Sequence, residues 1–288
     1  MKYIVIPDKT DLAIYQEKGA DAFIFGLKNY SIHYPEITLD EIKELSNKYD
    51  IFISLNKNIM NQDLEELEEI LVELDKTNIK GILFYDLSIL SIVERKKLNL
   101  DLVWHQTHMV TNYNTCNYYY DKNVKYGYVS NEITLDEIKE LSEKTNMKLM
   151  VQVFGYPIIS HSRRKLLTNY FKDLNQTQKK EVYHLKEKEN DCLFLKESNL
   201  GTSFFFERII NGTKPLYELL ETNIEYFILD MSFIEEKISL TVLETYDEIR
   251  KNKSSSREDT IKKMNELIGE STNFFYKKTI YKVKKGDK

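Results

Sequence analysis

The sequence has few of the residues that interrupt regular structure or crosslink a chain. Glycine occurs 9 times, proline 4 times and cysteine twice in 288 residues. The two cysteines, Cys116 and Cys192, are far apart and belong to no CxxC pair, which excludes a disulfide scaffold and a zinc ribbon. We therefore expect a reducing, cytoplasmic location. No apolar run approaches the roughly 20 residues of a membrane span, so no membrane partner is expected.

The chain also lacks an excess of positive charge. Lys and Arg total 41 against 46 Asp and Glu, which gives a formal net charge of −5. No global basic field therefore attracts nucleic acid or an anionic membrane surface. Nucleic acid stays open as a partner through a local patch, but it is not favoured, and an oligomer is left open.

Short apolar runs recur along the chain, and each is followed by a polar stretch with helical spacing of its apolar residues. This alternation is typical of a parallel sheet covered by helices, so the predicted class is α/β. The eight candidate strands span residues 3–7, 22–27, 51–55, 81–86, 101–105, 126–130, 148–155 and 225–231. Eight such units predict a (β/α)₈ TIM-type barrel.

Helices are predicted between the strands, near 10–18, 38–49, 62–78, 88–99, 112–122 and 134–146, with later ones near 237–250 and 258–269. Thr38 and Thr134 each precede Leu-Asp-Glu, which predicts a hydroxyl cap and an acidic first turn. The sequence ITLDEIKELS occurs at 37–46 and again at 133–142, in the second and sixth helices. This repeat is either a half-barrel relic or the chance reuse of a good amphipathic helix.

The regular alternation stops after Gly155. The runs VYHLKEK, CLFLKES and TSFFFE, separated by turn signals, predict a small β-rich insert over residues 156–206. Because the insert follows strand seven, it is expected at the carboxyl end of the barrel, where such enzymes keep their sites. The predicted domains are a barrel over 1–250 that includes this insert, and a C-terminal helix with a basic strand or tail over 251–288, packed on the barrel.

The segment GYPIISHSRRKLLTNYF, residues 155–171, resembles the signature region of the U32 (collagenase-like) peptidase family. The family pattern runs Gly-Ala-Leu-Cys, then Ser-Gly-Arg-Cys, then Leu-Ser, and the positions that agree are Gly155, Ser162, Arg164, Leu167 and Thr168. The segments HQT with Asn112, ESNLGTSFFF and FFYKKTIYKVKK resemble further family motifs. The chain is therefore identified as a short member of this family.

The resemblance implies a (β/α)₈ barrel and a peptidase activity. It also points to relatives that hydroxylate RNA bases or ubiquinone precursors with a four-cysteine iron–sulfur cluster. The two signature cysteines of the family fall on Ile158 and Lys165 here, so no iron–sulfur cluster is expected. The cofactor is otherwise unknown, and a divalent metal is left open.

The candidate site residues follow strands five and seven. His105 and Arg164 are the catalytic candidates, because a histidine can act as a general base and an arginine can stabilise an anion. The substrate-binding candidates are Gln106, Tyr156, His161, Arg163 and Lys165. The alternatives stay open: His105 as a core residue, and the arginines as partners of acidic neighbours. A nucleophilic pair of His161 with Ser160 or Ser162 is disfavoured, because adjacent residues rarely face each other.

Two functions follow from these residues. The first is a U32-type hydrolase that acts on peptides, with a peptide or another anionic ligand at the carboxyl end of the barrel. The alternative is a non-catalytic binding or partner subunit related to the RNA-modifying members, which would use the Arg163, Arg164 and Lys165 cluster and the basic tail.

Overall fold

The structure is a computed structural model that describes residues 1–8, 11–186, 192–252, 256–272 and 274–276. The basic tail of the sequence prediction, beyond residue 276, lies outside these residues. The strands, β1 to β14, are Lys2–Ile6, Ala22–Leu27, Glu36–Ile37, Ile51–Leu55, Gly81–Phe84, Leu102–Trp104, Tyr126–Tyr128, Lys148–Gly155, Ile158–Ser162, Val182–Lys186, Cys192–Ser198, Gly201–Phe206, Ile210–Asn211 and Tyr226–Asp230. The helices, α1 to α10, are Leu12–Glu17, Leu39–Leu45, Leu64–Leu74, Leu87–Lys96, Tyr113–Tyr120, Leu135–Lys144, Leu166–Asp173, Thr213–Leu219, Glu236–Arg250 and Arg257–Ile268.

Eight parallel strands close into a ring, and this confirms the predicted (β/α)₈ barrel. The order is β1, β2, β4, β5, β6, β7, β8 and β14, and β14 pairs with β1 in parallel to close the sheet. All eight predicted strands are present. The short strands β3 and β13 are additions that sequence reasoning did not predict: β3 pairs in parallel with β2, and β13 pairs antiparallel with β8.

The two copies of the repeated sequence form α2 and α6, as predicted. Thr38 and Glu41 form a reciprocal capping box at the start of α2, and Thr134 and Glu137 form one at the start of α6. Each box satisfies backbone donors that would otherwise lack partners at a helix N-terminus. The repeat therefore has a local physical role in both places.

Aromatic and aliphatic side chains fill the inside of the barrel. Phe52, Tyr126 and Tyr226 meet edge to face near the amino ends of their strands. Aliphatic side chains such as Val103 and Ile228 lie among them in the same buried cluster. The interior is thus a packed core rather than a pore, and any ligand must bind at a rim.

The insert is a separate four-stranded antiparallel sheet with the order β10, β11, β12, β9. The predicted β-rich insert is confirmed, but its first strand, Ile158–Ser162, was missed. Sequence reasoning took those residues for a polar loop or helix start. They form a strand because β12 supplies the hydrogen-bonding partner some forty residues later.

An ionic network joins the last helix of the barrel to its first two strands at the amino end. Arg250 contacts Asp21 and Gly19, and its Nη2 lies 2.5 Å from the Oδ1 of Asp247. Asp21 also accepts the backbone N–H of Tyr3 at 2.7 Å, and the guanidinium lies 4.6 Å from the centre of the Tyr3 ring. Only 17% of the Arg250 side chain is exposed, so its removal leaves Asp21 without this counterion and Asp247 with Lys251 alone.

We expect Arg250→Leu to lower the free energy of unfolding by about 2 kcal/mol, because two shielded carboxylates lose their shared cation. Urea denaturation followed by circular dichroism measures the change. Arg95→Leu is the matched control, since Arg95 pairs with Glu68 in a more exposed position. This replacement should lower the free energy of unfolding by much less. Equal losses in the two variants would contradict a structural role for the network.

Candidate functional site

A cavity of about 460 Å³ lies between the carboxyl rim of the barrel and the insert. Its volume is in the range typical of small-ligand sites. Its walls come from the loop after β2, the ends of β4, β5 and β6, strand β9 and the β11–β12 turn. The lining side chains used below are Ile32, His33, Lys57, Met60, Asp63, Tyr85, His105, Ile159, His161, Arg163 and Leu200.

His105 lies at the inner end of this cavity, directly after β6. Its ring packs against Tyr128 at a tilt of 31°, with a centroid distance of 4.3 Å, and meets the edge of Tyr34 at 6.0 Å. Only 5% of the residue is exposed, and Nδ1 has no hydrogen-bond partner among the described residues. Burial lowers the pKa of His105 to about 4, so the imidazole is neutral at neutral pH. The residue is therefore both core-packed and cavity-lining.

His33 enters the cavity from the loop after β2 and was not singled out from the sequence. Its backbone is left-handed, with φ of 58°, which is uncommon for a residue with a side chain. The ring packs between Tyr34 at 4.6 Å and Phe205 of the insert at 6.2 Å. Burial, and secondarily the nearby His105 and His161, lowers the pKa of His33 well below its usual value. A second neutral imidazole thus borders the cavity.

His161, in β9, pairs across the insert sheet with Ser203 rather than with a neighbouring serine. Its Nε2 lies 3.3 Å from the carbonyl oxygen of Leu200, and its Nδ1 lies 3.0 Å from the Oγ of Ser203. A carbonyl only accepts, so Nε2 carries the proton and the serine hydroxyl donates to Nδ1. Ser203 is only 5% exposed. The geometry is that of a cross-strand pair inside the sheet.

Two of the predicted substrate-binding residues, Gln106 and Tyr156, make contacts within the protein beside the cavity. Gln106 accepts the indole N–H of Trp104 at 3.0 Å and donates to the backbone oxygen of Tyr85 at 2.7 Å. Tyr156 is half-buried and meets the edge of Phe194 in the insert with a centroid distance of 5.0 Å. Neither residue lines the cavity. Their contacts join strand ends and the insert around it.

The three cations of the signature segment lie on one turn but face different surroundings. Arg163 lines the cavity and its Nη1 lies 3.4 Å from the sulfur of Met60 across the opening. Arg164 is exposed and does not line the cavity. Lys165 precedes α7, with its Nζ 3.5 Å from Asn199. The structure therefore brings His105, His161 and Arg163 to one cavity and leaves Arg164 and Lys165 on the outer surface.

The conformation of this turn is fixed by the β11–β12 hairpin. The carboxylate of Glu197 accepts the N–H of Leu167 at 2.8 Å and that of Thr168 at 3.2 Å, at the start of α7. Thr202 contributes a hydroxyl that receives the N–H of Leu166 at 3.0 Å. Gly201 has φ of 134°, and a Cβ there would lie 2.1 Å from the oxygen of Ser162. The Glu, Gly and Thr of this family segment are thus positioning residues for the cationic turn.

Sequence reasoning missed the extent of the positive charge. Residues 163–180, here called the basic segment, hold six Lys or Arg against one acidic residue, Asp173, for a net charge of +5 in a chain of net −5. All six cations are exposed, and none forms an ion pair within the described part of the chain. They are Arg163, Arg164, Lys165, Lys172, Lys179 and Lys180. A running charge sum along the sequence would have found this segment.

Polar side chains also occupy the carboxyl end of the barrel interior. The amide oxygen of Gln152 accepts from Asn131 at 2.9 Å and from Tyr128 at 3.4 Å. Asp230 ends β14 and accepts the N–H of Ser232 at 2.9 Å. Burial raises the pKa of Asp230 to about 6 in spite of the contacts with Ser232. The carboxyl group is therefore held partly protonated near neutral pH.

The residues present do not fit a four-cysteine iron–sulfur cluster. Ile158 lines the cavity and Lys165 begins the α7 turn, where the family pattern has thiols. Cys116 is buried in α5, where burial raises the pKa of its thiol to about 12. Within the described residues, no group of three or more His, Cys, Asp or Glu side chains is placed to hold a metal ion. Nor is any helix there long and apolar enough to cross a bilayer.

We expect Glu197→Ala to destabilise the start of α7 by about 2 kcal/mol, because the freed amides lose a charged acceptor. Hydrogen exchange with mass spectrometry should show faster exchange in peptides that cover residues 166–172. Glu181→Ala, which removes a more exposed carboxylate paired with Lys196 in the same insert, is the control. Unchanged exchange in the Glu197 variant would contradict its capping role.

Asp230 should make stability depend on pH. Its folded pKa lies above its unfolded value of about 3.9, so the group contributes stability at low pH that is lost as pH rises through about 6. We expect the free energy of unfolding of Asp230→Asn, minus that of wild type, to increase by about 2 kcal/mol between pH 4 and 7.5. Urea titrations at both pH values measure this. A constant difference would contradict burial of the carboxyl group.

Comparison with known proteins places the chain in a family. It is 26% identical to tRNA hydroxylation protein P2 of Bacillus subtilis, with 96% of this chain and 98% of that protein covered. It is 25% identical to tRNA hydroxylation protein P1 of the same organism, over 57% of this chain and 40% of that protein. A solved U32 peptidase structure matches 54% of this chain and 68% of its own, at 11% identity and a TM-score of 0.43. The sequence model of peptidase family U32 matches residues 8–285, so the chain belongs to that family.

Proposed function

We propose that this chain binds tRNA and acts as a partner subunit in tRNA hydroxylation. This proposal reverses the order of the two functions inferred from the sequence, where peptide hydrolysis came first. The relative that matches over nearly its whole length is named for tRNA hydroxylation, and a second relative carries the same description. The family label alone does not favour a peptide over an RNA.

The observation that carries the proposal is the basic segment. Its six exposed cations have no acidic partners in the described chain, although the protein as a whole is acidic. Unpaired lysines and arginines on a surface release counterions when they contact phosphates, and this release supplies most of the affinity of nonspecific RNA binding. A cationic surface of this kind has no equally direct use in binding an uncharged peptide.

Exposed aromatic and aliphatic side chains accompany these charges. Tyr170 is 59% exposed and Leu174 is 46% exposed, both in or directly after α7. Tyr85 is 39% exposed and borders the cavity beneath the insert. Aromatic rings interleaved with cations are typical of proteins that bind single-stranded RNA, because each base offers a face for stacking. The surface thus supports contacts to both the backbone and the bases.

The role of a partner subunit follows from the missing thiols. Hydroxylation of a base requires an oxidation, and a four-cysteine cluster cannot be built from two cysteines, one of which is buried in α5. We therefore assign to this chain the recognition of tRNA, while a second protein would supply the redox group.

Peptide hydrolysis is the competing function, and the contact between His161 and Ser203 is the observation that favours it. Against it, Ser203 is buried, and the imidazole is oriented by a carbonyl rather than by a carboxylate. Incubation with a fluorogenic peptide library, with and without Zn²⁺ or Mn²⁺, separates the two. Cleavage that Ser203→Ala abolishes would favour the hydrolase.

We expect the triple variant Arg164→Gln, Lys172→Gln, Lys180→Gln to bind an unmodified tRNA transcript at least about tenfold more weakly than wild type at 0.1 M salt. The slope of log K against log salt should fall by about 2 to 3, since three phosphate contacts are lost. Filter binding at four salt concentrations gives both values.

The control carries the same change of charge outside the insert, with Lys122, Lys262 and Lys263 replaced by Gln. These lysines are exposed as well. The control should keep the affinity and slope of wild type. Equal losses in both triple variants, or salt-independent binding by wild type, would overturn the proposed tRNA surface.

A further inference from the structure

The insert covers the cavity, but its strands share no hydrogen bonds with the strands of the barrel. Strand β9 and the β11–β12 turn line the cavity on the side of the insert. Among the described residues, no backbone hydrogen bond joins residues 158–205 to the barrel. Beside the β11–β12 turn, the Nη1 of Arg163 contacts the sulfur of Met60 at 3.4 Å. A thioether is a weak acceptor, so this end of the insert is weakly held.

The other end of the insert contains both of its connections to the barrel. The chain leaves the barrel after Gly155 and returns at Ile210, and these two residues are paired in neighbouring strands. Just beyond them, the N–H of Phe206 donates to the backbone oxygen of Pro157 at 3.0 Å. Two chain crossings side by side can act as a hinge, because a few residues at the ends of elements absorb the rotation.

Two consecutive phenylalanines hold the hinge end of the insert from opposite faces. Phe205 and Phe206 are neighbours in β12, and successive side chains of a strand point to opposite faces of the sheet. Phe205 packs against Phe233 at the barrel rim, with a centroid distance of 5.2 Å. Phe206 stacks on Phe274, which follows α10, at 5.8 Å and a tilt of 23°. The hinge end therefore lies between the barrel and the C-terminal segment.

This C-terminal segment, described at residues 271, 272 and 274–276 and here called the strap, is fixed to both units. The N–H of Thr272 donates to the backbone oxygen of Ile209 at 2.8 Å, where the insert returns to the barrel. The N–H of Leu135, at the start of α6, donates to the backbone oxygen of Phe275 at 2.8 Å. Phe275 is itself buried in the main core. The strap thus joins the base of the insert to the barrel.

We infer that strands β9, β11 and β12 form a lid over the cavity, hinged beside Gly155, and that the strap holds this lid closed through the ring of Phe274. Loss of the Phe274 ring frees one face of the hinge end, while the far end has only weak contacts. The lid should then open more often by a local motion that leaves the barrel folded. The inference goes beyond the proposed function, because it concerns entry to the cavity and requires no RNA.

Modification of His105 by diethyl pyrocarbonate reports opening of the lid. The reagent reacts with neutral imidazoles, and His105 is neutral, lines the cavity and is only 5% exposed. We expect Phe274→Ala to raise the rate of modification at His105 about tenfold, as the loss of one aromatic pair would give. Mass spectrometry of the peptides measures the rate at each histidine. His184, which is exposed on β10, is the internal reference and should react equally in all variants.

Three further variants test whether the contact itself is responsible. Phe206→Ala removes the other ring of the pair and should raise the rate at His105 as much as Phe274→Ala does. The double variant should add little, since both residues act through one contact. Tyr276→Ala is the matched control, because it removes a more exposed ring of the same strap that lies 5.1 Å from the Nζ of Lys214. This control should react like wild type.

Alkylation of Cys116 by iodoacetamide separates opening of the lid from unfolding, because this thiol is buried in α5. It should stay unreactive in every variant. An unchanged rate at His105 in Phe274→Ala and Phe206→Ala, or an equal rise in Tyr276→Ala, would overturn the role of the strap. Equal acceleration at His105 and Cys116 would overturn it as well, since the barrel would then be unfolding. None of these results bears on tRNA binding, so the proposed function is tested separately.

Discussion

Closure of the parallel sheet between β14 and β1 is the constraint on which the rest of the structure depends. The five residue pairs from Lys2 with Tyr226 to Ile6 with Asp230 complete the ring. Because all eight strands run in one direction, closure brings their carboxyl ends to a single rim. Tyr85 follows β5, His105 follows β6 and Asp230 ends β14, and these residues share that rim only for this reason. The ionic network around Arg250 joins the same first strand to the last helix at the opposite end.

The insert turns this rim into a cavity. It leaves the barrel after β8, folds as its own sheet and returns through β13 to pair with the strand it left. Phe194 and Phe205 of the insert meet Phe233, which follows the last barrel strand, with centroid distances of 5.3 and 5.2 Å. The cationic turn is tied to the insert by Glu197 and Thr202. The cavity is thus formed between two units, the barrel and the insert, that are joined by aromatic packing.

Local patterns in the sequence were sufficient to predict the barrel. Apolar runs with polar helical segments between them predicted all eight strands, and Thr38 and Thr134 predicted the helix starts. The division into domains over 1–250 and 251–288 stays a prediction. So do the catalytic roles of His105 and Arg164, although the structure places only His105 in the cavity.

The site was less predictable because it depends on contacts between distant residues. His33 lines the cavity because its backbone is left-handed and its ring packs against Phe205, which lies 172 positions later in the sequence. Ser203 pairs with His161 only once β9 and β12 are adjacent. Gln106 looked like a rim residue but binds the backbone of Tyr85. The basic segment, with a net charge of +5, was not evident from the net charge of −5, because the net charge of a whole chain carries no information about where the charges lie.

RNA is proposed to contact the basic segment and the exposed ring of Tyr85. Ultraviolet crosslinking of the protein to a uniformly labelled tRNA transcript, followed by mass spectrometry of the peptides, locates these contacts. Crosslinked nucleotides are expected on Tyr85 and on residues 163–180, with the exposed face of α10 unmodified. Crosslinks confined to α10 or to the outer barrel helices, with Tyr85 and the basic segment free, would contradict this proposal.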